Sequence, residues 1–151
     1  MRKTCLMILS GILVLSASDV VTASTLFQCH LGNHHTVTLD LSNENGLVYD
    51  YRKTGESKSE LTLKGEDPYY AHILGTNWSY QYFRFEKGAY SYVIYNRNDT
   101  QFGLAVFHGN KLMMNKVCLG DVVLDKEAYV YASERVYIDA DGAEYDFLVE
   151  E

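Results

Sequence analysis

The residues best suited to metal chemistry stand close together early in the chain. His30, His34 and His35 are flanked by Cys29 and Asp40. Imidazole, thiolate and carboxylate groups are the usual ligands of zinc. His34 and His35 are chain neighbours, however, and a strand points adjacent side chains to opposite faces. We therefore expect surface histidines, with no metal and no cofactor.

A second suggestive segment spans residues 139–144 and reads DADGAE. Acidic residues at alternate positions followed by a glycine resemble the start of an EF-hand calcium loop. That loop needs its glycine at the sixth position and a glutamate at the twelfth, whereas Gly142 is fourth here. A hairpin turn accounts for Asp141 and Gly142 without calcium, and we predict a turn.

Catalytic residues do not form any recognisable local pattern. The sequence has no nucleophile elbow, no phosphate-binding loop and no His-Glu-x-x-His motif. A fold can assemble a triad from residues that are distant in the chain, so a hydrolase stays a competing hypothesis. Our prediction is that the protein is not an enzyme.

The amino terminus has the plan of a secretory signal peptide. A short basic stretch precedes the uncharged residues 5–17, and small residues occupy the −3 and −1 positions of a cleavage site after Ala23. The uncharged run is shorter than the roughly 20 residues of a transmembrane helix. We predict a signal peptide at residues 1–23 and a single β domain at residues 24–151, located in the periplasm or secreted.

Two cysteines, Cys29 and Cys118, remain after removal of that signal peptide. Exported chains fold in an oxidising compartment, where two cysteines usually pair. A bridge would close a loop of about ninety residues, worth about 4–5 kcal/mol on the chain-entropy model. We predict a structural disulfide between Cys29 and Cys118.

Charge is distributed unevenly along the chain, whose formal net charge is −7. Residues 24–120 balance acidic and basic side chains, whereas residues 121–151 hold ten acidic residues against Lys126 and Arg135. Phosphate binding requires cationic surface, which argues against nucleic acid or anionic lipid as partner. An acidic face accelerates encounter with a basic protein. The alternative is that these carboxylates only keep the protein soluble.

These residues are carried by short segments with the alternation typical of β-strands. The predicted strands are residues 25–30, 35–42, 47–54, 60–64, the aromatic hairpin 78–95, 101–108, 111–119, 128–138 and 144–149. Residues 43–46 supply an Asn-Gly hairpin turn, and residues 65–77 are predicted to form a loop. The pattern predicts an all-β fold, an antiparallel sandwich or small barrel with about eight or nine strands.

The aromatic hairpin, WSYQYFRFEKGAYSYVIY, could form either the interior of a sheet or a binding surface. We predict that Phe83, Phe85 and Val93 belong to the core. Tyrosine is also enriched at binding hot spots, and the chain has thirteen tyrosines. The predicted partner contacts are Tyr80, Tyr82, Tyr90 and Tyr92 from the hairpin, with Asp139, Asp141 and Glu144 from the acidic turn.

Several short runs resemble a group of small uncharacterised exported proteins of Gram-negative bacteria. They are Phe27-x-Cys29, Gly46-Leu47-x-Tyr49-x-Tyr51-Arg52, Glu60-Leu61-x-Leu63, Phe83-Arg84-Phe85 and Tyr90-Ser91-Tyr92-x-x-Tyr95. The aromatic-x-Cys opening, the chain size and the late cysteine are also similar to periplasmic inhibitors of C-type lysozyme. That resemblance implies a small disulfide-bonded β-barrel that inserts loop residues into a lysozyme cleft.

The inhibitors' characteristic Ser-Gly-x-x-Tyr stretch is absent, and residues 87–91 (KGAYS) are its nearest counterpart. No inhibitory residue is therefore transferred from that family. The sequence favours a periplasmic protein-binding module that inhibits, or gives immunity against, a cationic peptidoglycan-attacking enzyme. The alternative is a structural or ligand-binding envelope protein without inhibitory activity.

Overall fold

The computed structural model describes residues 23–43, 46–64, 67–140 and 145. The described chain forms ten β-strands and one α-helix. They are β1 (Ser24–Leu31), β2 (His35–Ser42), β3 (Gly46–Lys53), β4 (Ser59–Leu63), β5 (Tyr69–Leu74), β6 (Ser79–Lys87), β7 (Tyr90–Arg97), β8 (Gln101–His108), β9 (Lys111–Leu124), α1 (Lys126–Ser133) and β10 (Tyr137–Ile138). Among these residues no helix has the length and apolarity needed to cross a bilayer.

All ten strands belong to one sheet, which curls into a half-barrel. The strand order is β10-β5-β6-β7-β8-β9-β1-β2-β3-β4. Neighbouring strands run antiparallel, except that β10 pairs in parallel with β5. The predicted all-β class is confirmed. The strand count is ten instead of about eight or nine, and the predicted sandwich or small barrel is a single curled sheet that forms a half-barrel.

Strand β9 joins the two halves of the sheet. Residues 111–117 pair with β8, and residues 118–124 pair with β1. The register against β1 shifts beyond Leu119, where Gly120 has φ 69°, a left-handed conformation that suits glycine. Cys118 is bonded to Cys29 of β1, with their Cα atoms 5.6 Å apart. The predicted disulfide is confirmed.

The main core lies inside the curl of the sheet. Tyr49 of β3 packs against Phe85 of β6 and Tyr92 of β7, with ring centroids 5.6 and 5.5 Å apart. Five strands separate β3 from β6 in the sheet order, so these rings meet only because the sheet curls. Helix α1 adds Tyr129, whose ring lies edge-on to Phe83 at 4.9 Å.

Two predicted elements are wrong. Residues 65–77, predicted to be a loop, contain β5, which is held by pairing along its whole length with β6. Residues 128–138, predicted to be a strand, form most of α1 and then β10. The side chain of Asp125 accepts a hydrogen bond from Ala128 N–H and caps α1. Tyr129 and Ala132 are three residues apart, which puts both on the buried face of the helix.

Some predictions fall on residues outside the described ranges. They include residues 1–22 of the signal peptide, residues 44–45 of the Asn-Gly turn, and the strand at 144–149 except for Tyr145. The β2–β3 hairpin that the turn would join is confirmed, because its pairing is regular from His35↔Lys53 to Ser42↔Gly46.

Candidate functional site

The four hairpin tyrosines that were predicted to contact a partner lie on two different faces of the sheet. Tyr82 pairs with Tyr95, and Phe85 pairs with Tyr92. Directly opposed residues share a face, so Tyr80 and Tyr82 face away from Tyr92. The structure therefore does not bring the four tyrosines together.

Both faces of this hairpin are covered. Phe83 and Phe85 belong to the main core, as predicted. Tyr80, Tyr82 and Val93 are buried in a second cluster on the opposite face, so Val93 is a core residue but does not pack with the two phenylalanines. Tyr80 and Tyr82 are 0 % exposed, which corrects their prediction as surface contacts.

Asp139, predicted to be an exposed acidic contact, is also buried. Its carboxylate accepts two hydrogen bonds from the Arg84 guanidinium, at 2.6 Å from Nε and 3.0 Å from Nη2. The Tyr82 hydroxyl donates to the same carboxylate at 2.8 Å. Burial, followed by the hydrogen bond to Asp139 and its charge, raises the pKa of Tyr82 far above its usual value. These groups anchor the chain after β10 to the outer face of the sheet.

The other predicted contacts have mixed positions. Tyr90 is 41 % exposed, and its ring lies edge-on to His108 at 4.8 Å. Tyr92 is half-buried against the main core, and burial raises the pKa of its hydroxyl. Asp141 and Glu144 lie outside the described residues.

Two of the three candidate metal-binding histidines, His30 and His35, have hydrogen-bond partners within the chain. His30 Nδ1 lies 2.9 Å from Thr36 Oγ1, and the His35 ring stacks on Tyr51 at 4.6 Å while its Nε2 lies 3.1 Å from Glu60. In the part of the chain that the structure describes, no three His, Cys, Asp or Glu side chains are grouped closely enough to hold a metal ion.

An open cleft of about 430 Å³ lies between the β2–β3 hairpin and the α1–β10 segment. It is lined by Leu41, Ser42, Asn43, Gly46 and Leu47 of the β2–β3 hairpin, by Asp67 and Pro68 before β5, and by Tyr131, Ala132, Arg135, Val136 and Tyr137 of the α1–β10 segment. Leu47 and Ala132 are buried, which gives the cleft an apolar floor. We call it the α1–β10 cleft.

The wall of the α1–β10 cleft carries two exposed rings and a guanidinium. Tyr131 is 49 % exposed and Tyr137 is 61 % exposed. The Arg135 guanidinium lies over the Tyr131 ring, 3.4 Å from its centroid, and donates a hydrogen bond to the Tyr131 carbonyl at 2.9 Å. Tyr137 packs against Tyr69, and its N–H donates to the Pro68 carbonyl at 3.3 Å. The main chain and the stacking contact thus hold these three side chains in place.

Tyr131, Arg135 and Tyr137 are not among the predicted contacts. Their segment was predicted to be a strand. In a strand these three odd-numbered residues would lie on one flat face and would not form the wall of a cleft. Arg135 lies just beyond the C-cap of α1 and four residues after Tyr131, so the helical turn brings its guanidinium back over the Tyr131 ring. Asp125 followed by Lys126 and Glu127 is the helix-start signal that could have revealed this arrangement.

Comparison with protein-family models, curated proteins and solved structures gave no match for this chain. The arrangement of the α1–β10 cleft is therefore the observation on which a function can be argued.

Proposed function

We propose that the protein is an exported, non-catalytic binding module. It inhibits, or gives immunity against, a cationic enzyme that attacks peptidoglycan, such as a lysozyme-like hydrolase or a secreted toxin. The observation that carries this proposal is the α1–β10 cleft, where Arg135 is stacked on Tyr131 beside the exposed Tyr137.

The composition of the cleft wall suits a protein partner. Tyrosine and arginine are the residue types most enriched at binding hot spots, together with tryptophan. A guanidinium pre-positioned by stacking loses little side-chain freedom when it binds a carboxylate. Glycoside hydrolases carry a pair of carboxylates at the bond that they cleave. Arg135 is therefore chemically suited to such an active site.

The scaffold and the charge of the chain support the same proposal. The Cys29–Cys118 bridge cross-links the neighbouring strands β9 and β1 of the sheet that carries the cleft. A scaffold restrained in this way has little freedom to lose on binding. Ten acidic residues lie in residues 121–151 and would raise the rate of encounter with a basic enzyme in a salt-sensitive manner.

Titration of the chain lacking residues 1–23 against C-type lysozyme, and against other basic peptidoglycan hydrolases, tests this function. We expect binding together with loss of lytic activity. Arg135→Ala and Tyr131→Ala should each lower the affinity at least ten-fold, which corresponds to about 1.4 kcal/mol. Tyr90→Ala is the matched comparison, because Tyr90 is an exposed tyrosine outside the cleft. Full affinity in this variant is the expected result, and it would also contradict the sequence-based prediction that Tyr90 contacts the partner.

Salt and charge variants test the electrostatic part separately. The association rate should fall as salt is raised, and it should fall further in an Asp141→Asn/Glu144→Gln variant. Asp139 is left unchanged because it is buried against Arg84. Absence of binding to every basic hydrolase would exclude the function, and equal losses in the Tyr90 and Arg135 variants would exclude the cleft as the contact site.

The second candidate function is that of an envelope protein that binds a small ligand. Ligand pockets commonly enclose about 300–1,000 Å³ and combine apolar walls with a few polar groups, and the volume of the α1–β10 cleft falls in that range. Muropeptides and glycan fragments are suitable probes. Saturable binding of such a fragment, without inhibition of any hydrolase, would favour this second function.

A further inference from the structure

A pocket of about 150 Å³ lies between helix α1 and the neighbouring strands β6 and β7. Its polar lining consists of Gln81 of β6, Asn96 of β7, Asp99 of the turn after β7, and Lys126 and Tyr129 of α1. Gln81 and Asn96 are directly paired in the sheet, so their side chains share a face. We call this site the Tyr129 pocket. It shares no lining residue with the α1–β10 cleft.

The hydroxyl of Tyr129 is the unusual group of this pocket. Tyr129 is 8 % exposed, and among the described residues its hydroxyl has no hydrogen-bond partner. A buried hydroxyl without a partner destabilises the folded chain, and a phenylalanine would fill the same core position without that cost. Burial, followed by the charges of Tyr70 and Asp99, raises the pKa of Tyr129 well above its usual value, so the hydroxyl keeps its proton. Packing therefore accounts for the ring but not for the hydroxyl, which is a donor for a ligand in the pocket.

The other polar groups of the pocket are held in place by the protein itself. Asn96, which is 3 % exposed, donates from Nδ2 to Asp99 Oδ1 at 2.6 Å, and the Asp99 N–H donates back to Asn96 Oδ1 at 3.0 Å. Gln81 Oε1 accepts a hydrogen bond from the Tyr70 hydroxyl at 2.9 Å, which orients the amide so that its nitrogen is the remaining donor. Side chains that are fixed in this way lose little freedom when a ligand binds.

The chemistry of the lining defines the class of ligand. Two donors, the Tyr129 hydroxyl and the Gln81 amide nitrogen, line the same pocket as an acceptor, the second carboxylate oxygen of Asp99. A ligand hydroxyl both donates and accepts hydrogen bonds, so it can satisfy either kind of group. The lining holds one carboxylate and one ammonium, that of Lys126, and these charges balance for a neutral ligand. Two apolar side chains, suited to the C–H faces of a ring, complete the lining: Leu124 and Val130.

The size of the pocket limits the ligand to one small ring. A water molecule takes about 30 Å³ in the liquid, so the pocket has the space of about five waters. A single sugar ring suits this space, whereas a glycan chain or a peptide does not.

We propose that the Tyr129 pocket binds a neutral, hydroxyl-rich small molecule of the size of one sugar ring. The Tyr129 hydroxyl donates to one hydroxyl of the ligand, and Asp99 accepts from another. This inference is independent of the α1–β10 cleft and of the enzyme proposed to bind there.

Titration of the chain lacking residues 1–23 with single sugars, followed by ¹H–¹⁵N nuclear magnetic resonance, tests the proposal. The neutral probes are glucose, galactose and N-acetylglucosamine. Gluconate and protonated glucosamine are the matched anionic and cationic probes. At least one neutral sugar should shift the main-chain amide signals of Gln81, Asp99 and Tyr129 saturably, and it should bind at least three-fold more tightly than either charged probe.

Three outcomes of this titration would overturn the proposal. Absence of saturable shifts with every neutral sugar would mean that the pocket holds water only. Tighter binding of a charged probe would exclude a neutral ligand. Saturable shifts confined to residues 131–137 would place the sugar in the α1–β10 cleft instead.

Tyr129→Phe tests the hydroxyl directly, because it removes one oxygen atom and keeps the ring that packs in the core. The variant should be at least as stable as the wild type, and its affinity for the bound sugar should be at least ten-fold lower. Tyr49→Phe is the matched control, since Tyr49 is also a buried tyrosine of the main core but lies outside the pocket, and it should keep full affinity. Equal affinity of wild type and Tyr129→Phe would contradict the proposal.

Asp99→Asn provides a second test that does not alter the core. Asp99 has φ 55°, and asparagine tolerates this left-handed conformation. The substitution replaces a carboxylate oxygen by an amide group that donates, so the affinity for the sugar should fall at least five-fold. Unchanged affinity would show that Asp99 does not contact the ligand and would overturn the assignment even if Tyr129→Phe does not fold.

Discussion

At the scale of single residues, the most consequential group is the buried ion pair of Arg84 and Asp139. Their side chains are 4 % and 1 % exposed. Burial lowers the pKa of Arg84. The hydrogen bonds to Asp139 and Glu86 and the charge of Asp139 outweigh burial, so the pKa of Arg84 is raised above its usual value. Removal of one partner from such a pair leaves a charge that water cannot reach. Asp139 therefore stabilises the folded chain and is not part of an exposed acidic surface.

Asp139→Asn tests this role. We expect a loss of about 3–5 kcal/mol in the free energy of unfolding, because Arg84 then keeps only the partly exposed Glu86 as a carboxylate partner. Urea unfolding followed by circular dichroism measures the loss. Glu134→Gln is the matched control, because Glu134 is exposed and its ion pair with Arg135 is long, at 3.9 Å. This substitution should change the free energy of unfolding by less than about 0.5 kcal/mol. Equal effects of the two substitutions would contradict the role given to Asp139.

At the scale of elements, α1 determines where the candidate site lies. The helix buries Tyr129 and Ala132 against the main core and leaves Tyr131 at its surface. Arg135 follows within one turn and stacks back on Tyr131. In a strand Tyr131, Arg135 and Tyr137 would share one face, but Tyr131 and Arg135 would lie too far apart along the strand for their side chains to stack. The residue at which α1 begins determines which of its side chains face the core and which line the cleft.

The beginning of α1 can be tested at its N-cap. Asp125→Ala removes the acceptor for the Ala128 N–H, which lies 3.0 Å from Asp125 Oδ1. We expect a loss of about 1 kcal/mol in the free energy of unfolding, since this is the typical cost of losing such a cap. Thermal or urea unfolding provides the measurement. Asp121→Ala in β9 is the control, because it removes an exposed carboxylate that caps no helix. It should lower the free energy of unfolding by less than Asp125→Ala does.

At the scale of the whole molecule, the sheet that the described residues form is open between β10 and β4, and its two halves meet at β9 and β1. The Cys29–Cys118 bridge lies at this junction and spans 89 positions of the chain. The bridge therefore restricts the unfolded chain over most of its length. A long loop of this kind gives a large entropic stabilisation on the chain-entropy model.

A Cys29→Ala/Cys118→Ala variant should lose about 4–5 kcal/mol in the free energy of unfolding. The loss is expected mainly through the greater freedom of the unfolded chain. Urea unfolding of the variant, compared with wild type in the presence and absence of a reductant, measures it. The reduced wild type should match the variant. A difference of less than about 1 kcal/mol between oxidised wild type and variant would contradict this account.

The sequence by itself determined much of the local structure of this protein. Alternating side chains and turn residues predicted β2 and β8 with the bounds that the structure has, because a strand with one buried face carries that alternation in its own residues. Two cysteines left after a predicted signal peptide were enough to predict the bridge. The alternation of side chains in β6 also identified Phe83 and Phe85 as core residues.

Tertiary structure alone decided which aromatic residues are exposed. Alternation assigns Tyr80 and Tyr82 to one face of β6, but the local pattern of the sequence does not show that Asp139 and Tyr145 cover that face. Tyr131, Arg135 and Tyr137 line a cleft only because the α1–β10 segment lies across from the β2–β3 hairpin, which ends more than seventy positions before α1 begins. Exposure depends on contacts between distant segments, and such contacts are set by how the whole sheet curls.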